Sequence, residues 1–250
     1  MRRTSGENGN GAGAVDGAGA ERRARPVIAI DGPAGAGKST LAAHLARRFG
    51  FLNLETGAMY RALALKAIEN DLSFDEEPEL LELADETRIA LEPQMEGNLV
   101  LLDGVDVSRR VRDTDVTAAA SRVSVHPRLR QWMVGQQRTL GANGGVVMEG
   151  RDIGTVVFPD AEVKIFLDAA PEVRGNRRYR QGVPAQAAVT EEAIIEELKE
   201  RDARDRNRAE SPLRAAEDAV ILDSTTMSLE QVLAAAEEIV RTHLKAGIRD

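Results

Sequence analysis

The sequence predicts an α/β fold, in which a parallel β-sheet carries helices on both faces and a small antiparallel β insertion interrupts the pattern. Short apolar runs rich in Val, Ile and Leu alternate with segments of helical periodicity, as in sheets built from crossover helices. A glycine-rich segment directly follows the first apolar run. Between about residues 75 and 110, two apolar segments joined by turn residues replace the alternation and predict an antiparallel pair.

The composition excludes several classes of protein. The 250 residues carry a formal net charge of -8 and include no cysteine. An acidic chain is a poor partner for nucleic acid or an anionic membrane, and without cysteine there is no thiol chemistry or thiolate metal site. No apolar run reaches the roughly 20 residues of a membrane span, and no signal-peptide core is present. We therefore expect a cytoplasmic protein, acting as a monomer, with no membrane or nucleic-acid partner.

Residues 1–25 consist mostly of Gly, Ala, Glu, Arg and Asn, with almost no large apolar side chain. Such a segment buries too little surface to offset the entropy lost on ordering. We predict a disordered N-terminal tail at 1–25 and a single domain at 26–250.

The first predicted strand, at residues 27–30, leads into a loop that matches the phosphate-binding pattern G-x-x-x-x-G-K-[ST] in full. Glycines let backbone N–H groups turn toward a phosphate, Lys38 supplies a point charge, and the Ser39 hydroxyl offers one ligand to Mg²⁺. A glycine-rich turn without a ligand is the alternative, which the strand before the loop and the helix after it disfavour. The predicted triphosphate site comprises Gly32, Pro33, Ala34, Gly35, Ala36, Gly37, Lys38, Ser39 and Thr40.

A short second strand at residues 51–54 is followed by a helix that begins near Thr56. Tyr60 and Arg61 lie in the first turns of this helix. An arginine there opposes the helix dipole, which suggests an external anion that compensates it. A solvated surface arginine is the alternative.

In the insertion, residues 87–92 and 99–102 are predicted to pair as antiparallel strands. Helices are predicted at about 112–125 and 127–141, with Pro127 suited to the first turn of the second. Trp132 is assigned to the core.

The next predicted strand, at residues 146–149, delivers Glu149, Arg151 and Asp152 at its carboxyl end, the edge where open parallel sheets bind ligands. A strand at 163–168 carries no site in our prediction. Helices at about 171–181 and 190–208, a strand at 219–223 and a closing helix complete the chain.

Two sets of arginines recur at helical spacing on the helices at 171–181 and 190–208. Like charges so spaced destabilise a helix, so they indicate an anionic partner. A solvated helix with pairs such as Glu197 with Arg201 is the alternative. Beside a triphosphate loop we favour a mobile lid at about 171–208 that neutralises the phosphates. The two sets are Arg174, Arg177 and Arg178, and Arg201, Arg204 and Arg208.

With these residues identified, the chain resembles the bacterial cytidylate kinase family. The matching segments are 30–40, 55–61, 149–161, 164–169 and 199–208, of which GRD-x-GTVVFPDA and RD-x-RD-x-x-R are the specific ones. The resemblance covers about residues 26–245. It implies a nucleoside monophosphate kinase fold, an acceptor-binding role for the insertion, and transfer of the γ-phosphoryl group of ATP to CMP or dCMP.

The resemblance also implies roles for individual residues. Thr56, Tyr60, Arg61, Arg151 and Arg208 would hold the acceptor phosphate, Ser121, Arg130 and Asp152 the cytosine, and Arg201 and Asp205 the sugar. Apart from the resemblance, the phosphate loop and the clustered arginines make Lys38, Arg151, Arg204 and Arg208 our candidates to act on the transferring group.

Three alternatives stay open at this point. Asp152 would pair with Arg151 or cap the following turn if it does not read the base. The enzyme would be a P-loop kinase for another small acceptor, such as AMP or UMP, or the chain would be a nucleotide-hydrolysing switch. A switch needs a residue that positions water, and we find no good candidate for one in the sequence.

Overall fold

The computed structural model describes residues 23–94, 97–182 and 190–246. Its strands are β1 (Val27–Asp31), β2 (Leu52–Glu55), β3 (Ile89–Gln94), β4 (Gly97–Leu102), β5 (Val105–Asp106), β6 (Val146–Gly150), β7 (Val163–Asp168) and β8 (Val220–Asp223). Its α-helices are α1 (Lys38–Phe49), α2 (Thr56–Glu69), α3 (Glu77–Asp85), α4 (Thr114–Val123), α5 (Pro127–Gly141), α6 (Pro171–Gly182), α7 (Glu191–Asn207) and α8 (Leu229–Ala246).

Five parallel strands form the central sheet, in the order β2-β6-β1-β7-β8, and three antiparallel strands form a second sheet in the order β3-β4-β5. β1 lies between β6 and β7 and is buried along its whole length, which explains its continuous apolar run. The predicted fold class and the antiparallel insertion are confirmed.

The two faces of the sheet pack against different helices. Val27 and Ala29 of β1 face a core that includes residues of α2, α4 and α5, whereas Ile28 and Ile30 face a core formed with α1 and α8. Alternate side chains of one strand therefore join two separate apolar layers, as expected for a sheet covered on both sides.

Two elements differ from the sequence prediction. α3 lies inside the segment that we assigned to the β insertion, and only its Leu80 and Ala84 are buried. With so few buried positions its helical periodicity is weak. The second element that differs from the prediction is a π-helical turn at Ile153–Val157, in which the Phe158 N–H donates to the Ile153 carbonyl at 2.7 Å.

The packed part of the chain begins earlier than predicted. Arg23 forms an ion pair with Asp160 at 2.8 Å and lies over the ring of Phe158, and Arg25 donates to the Gly50 carbonyl. The predicted tail therefore does not extend to residue 25. Its remaining part, residues 1–22, lies outside the described residues, as do residues 183–189, which include most of the predicted linker between α6 and α7.

Asn98 of β4 ties the insertion to the central sheet. Its Oδ1 accepts from the Glu55 N–H at 2.9 Å, and its Nδ2 donates to the Asn53 carbonyl at 2.7 Å. Both groups belong to β2, one of the two edge strands of the sheet. The side chain thereby fixes the end of β2 where the chain turns into α2.

Among the described residues, no helix has the length and apolar character needed to cross a membrane.

Candidate active site

A cleft lies at the carboxyl ends of β1, β2 and β6, where parallel sheets place their ligands. All ten residues to which the resemblance gave an acceptor-binding role line it, together with Ala34, Gly35, Lys38 and Ser39 of the phosphate loop. The fold thus brings the predicted donor and acceptor residues to one place. Arg204 does not lie there: it is exposed on α7 and absent from the cleft lining.

The phosphate loop depends on its glycines. A Cβ on Gly32 would lie 2.0 Å from the Leu167 carbonyl oxygen, and Gly37 has a φ of 100°. Gly37 stands directly before α1 and provides no side-chain cap, so the first backbone N–H groups of the helix are free to bind an anion.

Ala34 departs from the prediction that the loop turns its successive N–H groups toward a phosphate. Its N–H donates to the Asp202 carboxylate at 3.1 Å. This amide is therefore engaged with α7 and not directed at a ligand, although Ala34 lines the cleft.

Lys38 lies across the loop, where its Nζ donates to the Pro33 carbonyl at 2.7 Å. Burial lowers the pKa of Lys38, and the nearby charges of Arg151 and Arg201 lower it further. A polyphosphate in the cleft would favour the charged form again, because its negative charges oppose these effects.

Glu149, at the end of β6, was expected at the ligand-binding edge of the sheet but received no role in the sequence prediction. Its Oε1 is buried and has no hydrogen-bond partner. Burial and the neighbouring Glu55 raise the pKa of Glu149, while a hydrogen bond from Ser39 opposes that shift. A carboxylate at the end of a buried strand beside a phosphate loop is the sequence signal that would have identified it.

Ser39 and Glu149 fit a magnesium ion. Both side chains offer oxygen ligands. The Oε1 atom of Glu149 accepts no hydrogen bond, and a bound cation would satisfy it instead. Within the part of the chain that the structure describes, no three acidic or histidine side chains cluster as a metal cage. Mg²⁺ suits such a sparse site, because it keeps several waters and shares phosphate oxygens.

The acceptor side of the cleft has an excess of positive charge. Partial burial and the charge of Arg151 lower the pKa of Arg201 to about 10. Asp205 pairs with Arg151 at 2.9 Å, and although burial opposes its ionisation, the charges of Arg151 and Arg208 hold its pKa below the ordinary range. A single carboxylate thus faces three arginines here, which favours binding of an anion.

Several donors in the cleft have no partner. The Tyr60 hydroxyl is buried and unpaired, and burial raises its pKa to about 12, so it stays protonated. The Nε atoms of Arg61 and Arg208 are also buried and unpaired. Arg61 forms an ion pair with Glu55, and the Thr56 hydroxyl donates to the Glu149 carbonyl at 2.7 Å. Unpaired buried donors are costly, which indicates that a ligand completes them.

At the other end of the cleft, Asp152 pairs with Arg130 at 2.5 Å. The alternative that Asp152 pairs with Arg151 is wrong, because Arg151 is held by Asp205. The Ser121 hydroxyl is buried without a partner close to this pair. A polar pocket with an acceptor, a donor and a free hydroxyl can recognise the edge of a base.

The arginines of α6 and α7 do not act as two uniform stripes. Arg174 is buried in an ion pair with Asp202, and Arg177 donates to the Ser224 carbonyl at 2.8 Å. Arg178 lines the cleft and lies 3.6 Å from Glu197, so the suggested pair of Glu197 with Arg201 is not formed. Arg204, three residues after Arg201, is displaced by about 60° around the helix and is exposed outside the cleft lining.

Comparison with known proteins supplies a family. The model of the family described as Cytidylate kinase matches residues 28–242. A cytidylate kinase from Aeromonas salmonicida is 48% identical over 209 residues, which cover 84% of this chain and 91% of the relative. The cytidylate kinase from Pelotomaculum thermopropionicum is 47% identical over 226 residues, which cover 90% and 98%. The one from Vibrio cholerae is 45% identical over 221 residues, which cover 88% and 97%.

Proposed function

This chain belongs to the cytidylate kinase family, and on that premise we propose that its cleft transfers the γ-phosphoryl group of ATP to CMP or dCMP, giving ADP and CDP or dCDP. The supporting observation is that a complete phosphate loop and a cluster of arginines with unpaired donors line one cleft. A nucleotide-hydrolysing switch would not need the second anion site, and the family match does not favour kinases for AMP or UMP.

The phosphate loop and the start of α1 bind the donor. The free N–H groups at the start of the helix and the ammonium of Lys38 oppose the charge on the β- and γ-phosphates. Ser39 and Glu149 are the residues that would hold Mg²⁺. When bound, the ion neutralises charge on the donor phosphates.

The arginine cluster binds the acceptor phosphate. Arg61, Arg151 and Arg208 approach it with guanidinium groups, and the Tyr60 hydroxyl donates the hydrogen bond that it lacks in the free cleft. Arg201 and Asp205 contact the sugar. These groups hold an acceptor oxygen facing the γ-phosphorus, which converts the reaction into a positioned, in-line transfer.

In the chemical step, an oxygen of the acceptor phosphate forms a bond to the γ-phosphorus as the bond to the β–γ bridging oxygen breaks. The electron pair of the broken bond remains on the leaving ADP. No general base is required, because the second pKa of a phosphate monoester is about 6 and the acceptor oxygen is already ionised at neutral pH. Lys38, Arg151 and Arg208 stabilise the charge that spreads over the transferring group.

A coupled assay for ADP release tests the proposal with CMP, dCMP, UMP, AMP and no acceptor. We expect rapid ADP release with CMP or dCMP and little without an acceptor. Release that is independent of any acceptor would indicate a switch, and a faster rate with AMP or UMP would assign the acceptor site to another nucleotide.

Two arginines of α7 form a matched pair for the same assay. Arg201→Ala removes a guanidinium from the cleft and should lower kcat/KM for CMP by about tenfold or more, since hydrogen bonds to charged groups contribute about 1.5–3 kcal/mol. Arg204→Ala removes an exposed guanidinium and should leave kcat/KM within about twofold. Equal losses of kcat/KM in both variants would mean that a position in the cleft does not distinguish the arginines that function from those that do not.

A further inference from the structure

We propose that the buried ion pair between Arg174 and Asp202 is a positioning device that clamps the Ala34 peptide of the phosphate loop and thereby sets α7, with Arg201 and Asp205, against the acceptor. The inference rests on the proposed function of the cleft. It gives a role to two charged residues that lie outside the lining of the cleft and that the mechanism above does not use.

Both backbone groups of Ala34 are held by this pair. The Asp202 carboxylate accepts from the Ala34 N–H at 3.1 Å, and the Arg174 guanidinium donates to the Ala34 carbonyl at 2.8 Å. The two side chains also bind each other at 2.6 Å. Because Arg174 comes from α6 and Asp202 from α7, one residue of the loop is joined to both helices.

The rest of the Arg174 side chain is fixed as well. Its Nε donates to the Ala169 carbonyl at 2.8 Å, just beyond the end of β7, and the side chain is 2% exposed. The guanidinium therefore connects the sheet, the phosphate loop and α7. A lysine has no planar fork of donors and could not reproduce these fixed contacts.

Apolar packing supports the same geometry. Ala34, Ile194 and Leu198 form a small buried cluster between the loop and α7. At Gly35 a Cβ would lie 3.4 Å from the Arg174 Cβ, and at Gly175 it would lie 2.2 Å from Ile195. α6, α7 and the loop thus approach each other closely, so a shift of α7 would move the loop or break the pair.

The pair acts on the reaction through its neighbours in sequence. Arg201 directly precedes Asp202 and lines the cleft, and Asp205, one helical turn further, also lines it and holds Arg151. A buried ion pair is a weak source of stability, since apolar residues of similar volume often serve as well. Apolar side chains, however, could not bind the N–H and the carbonyl of one residue. Hydrogen bonds to both backbone groups of Ala34 are what fix the position of the loop.

The test is Asp202→Asn, with kcat measured at saturating ATP and CMP. Both carboxylate oxygens of Asp202 accept from donors, so the amide nitrogen of Asn must face either the Ala34 N–H or the Arg174 guanidinium. We expect kcat to fall by about tenfold to a hundredfold, the loss that a misplacement of about 1 Å causes. A folded variant whose kcat stays within twofold of wild type would overturn the proposal.

A double variant separates positioning from a general loss of structure. If Asp202 acts through Arg201 and Asp205, Asp202→Asn should lower kcat by a clearly smaller factor in the Arg201→Ala background than in the wild-type background, because one of the two groups that it positions is already absent. If the full factor persists in that background, Asp202 does not act through Arg201 and the proposal is overturned.

The control is Glu172→Gln, which breaks the exposed ion pair of Glu172 with Lys199 between the same two helices. Its kcat should be unchanged, because this pair does not touch the phosphate loop. A loss equal to that of Asp202→Asn would assign the effect to the packing of α6 on α7 and overturn the role of the Ala34 clamp.

Should Asp202→Asn not fold, Arg174→Lys provides the second measurement. It keeps the charge but loses the fork of donors, and we expect a loss in kcat of about threefold to tenfold that becomes smaller in the Arg201→Ala background. Unchanged kcat would overturn the proposal. Failure of the proposed function looks different, because the wild-type protein would then not phosphorylate CMP.

Discussion

The Asp152 carboxylate should set the preference of the cleft for cytosine over uracil. Cytosine presents an amino group at the position where uracil presents a carbonyl oxygen, and a carboxylate can accept a hydrogen bond only from the former. Asp152 is buried beside Arg130, with side chains that are 8% and 3% exposed, so water cannot take over the lost contact. We therefore expect Asp152→Asn to move the ratio of kcat/KM for CMP and UMP toward one.

The size of the effect follows from this burial. An unpaired buried polar group costs about 1–3 kcal/mol, and a factor of ten corresponds to about 1.4 kcal/mol, so the ratio should fall by about fivefold to a hundredfold. The same substitution removes the charge that faces Arg130. Loss of a buried ion pair costs about 3–5 kcal/mol, but the Asn oxygen still accepts from the guanidinium. We expect a loss of about 2–3 kcal/mol and a decrease in Tm of about 5–10 °C.

The assay measures kcat/KM for both nucleotides at a temperature well below the Tm of the variant, so that the ratio reports recognition and not unfolding. Asp168→Asn is the control, since Asp168 also ends a parallel strand but lies outside the cleft lining. It should leave the ratio unchanged. If Asp152→Asn lowers both values by the same factor, Asp152 holds Arg130 only and the base is read elsewhere.

Three further predictions concern other parts of the molecule. Lys38→Ala should lower kcat by at least about a hundredfold with little change in Tm, because its charge acts on the transferring phosphoryl group; turnover near that of wild type in steady-state assays would contradict this. Burial raises the pKa of Asp31 to about 6, so ionisation of Asp31 costs wild type about 3 kcal/mol of unfolding free energy as the pH rises from about 4 to above 6. The Asp31→Asn variant cannot ionise at this position. The difference in Tm between wild type and this variant, measured by thermal melts, should therefore become smaller between pH 4 and pH 7. A difference that is the same at both pH values would refute the raised pKa. Deletion of residues 1–25 should lower the Tm by a few degrees, because it removes the ion pair of Arg23. Deletion of residues 1–22 should leave the Tm unchanged. Identical melting curves for the two deletion variants would mean that the contacts of Arg23 and Arg25 contribute nothing to stability.

The central sheet and the phosphate loop could be predicted because local signals determine them. A buried parallel strand needs a continuous apolar run, and a loop that curls around a phosphate needs glycine at fixed spacing. α3 was missed because its two buried residues give little periodicity. The π-helical turn Ile153–Val157 was missed because an i to i+5 hydrogen bond leaves no pattern in the sequence.

Within the candidate site, the sequence identified residues but not their partners. The spacing of arginines could not tell that Arg174 would be buried against Asp202, whereas Arg201 would face the cleft. Arg204 lies outside the cleft lining although it belongs to the same i, i+3, i+7 series, because such a series spreads over about 60° of the helix surface. Glu149 was given no role although its position at the end of a buried strand beside the phosphate loop was a usable signal; only its buried, unpaired Oε1 is a property of the folded chain alone.

The hydrogen bonds of Asn98 have a consequence for self-association. An outer strand of a sheet offers unpaired backbone groups to strands of other molecules, which is a common route to aggregation. Asn98 occupies one N–H and one carbonyl on the free side of β2, and the antiparallel strands of the insertion lie against this border of the sheet. The insertion therefore shields the β2 edge of the sheet from intermolecular pairing in addition to its contribution to the cleft. A variant with a shortened insertion should aggregate on heating at lower protein concentration than wild type does, even where its isolated monomer remains folded.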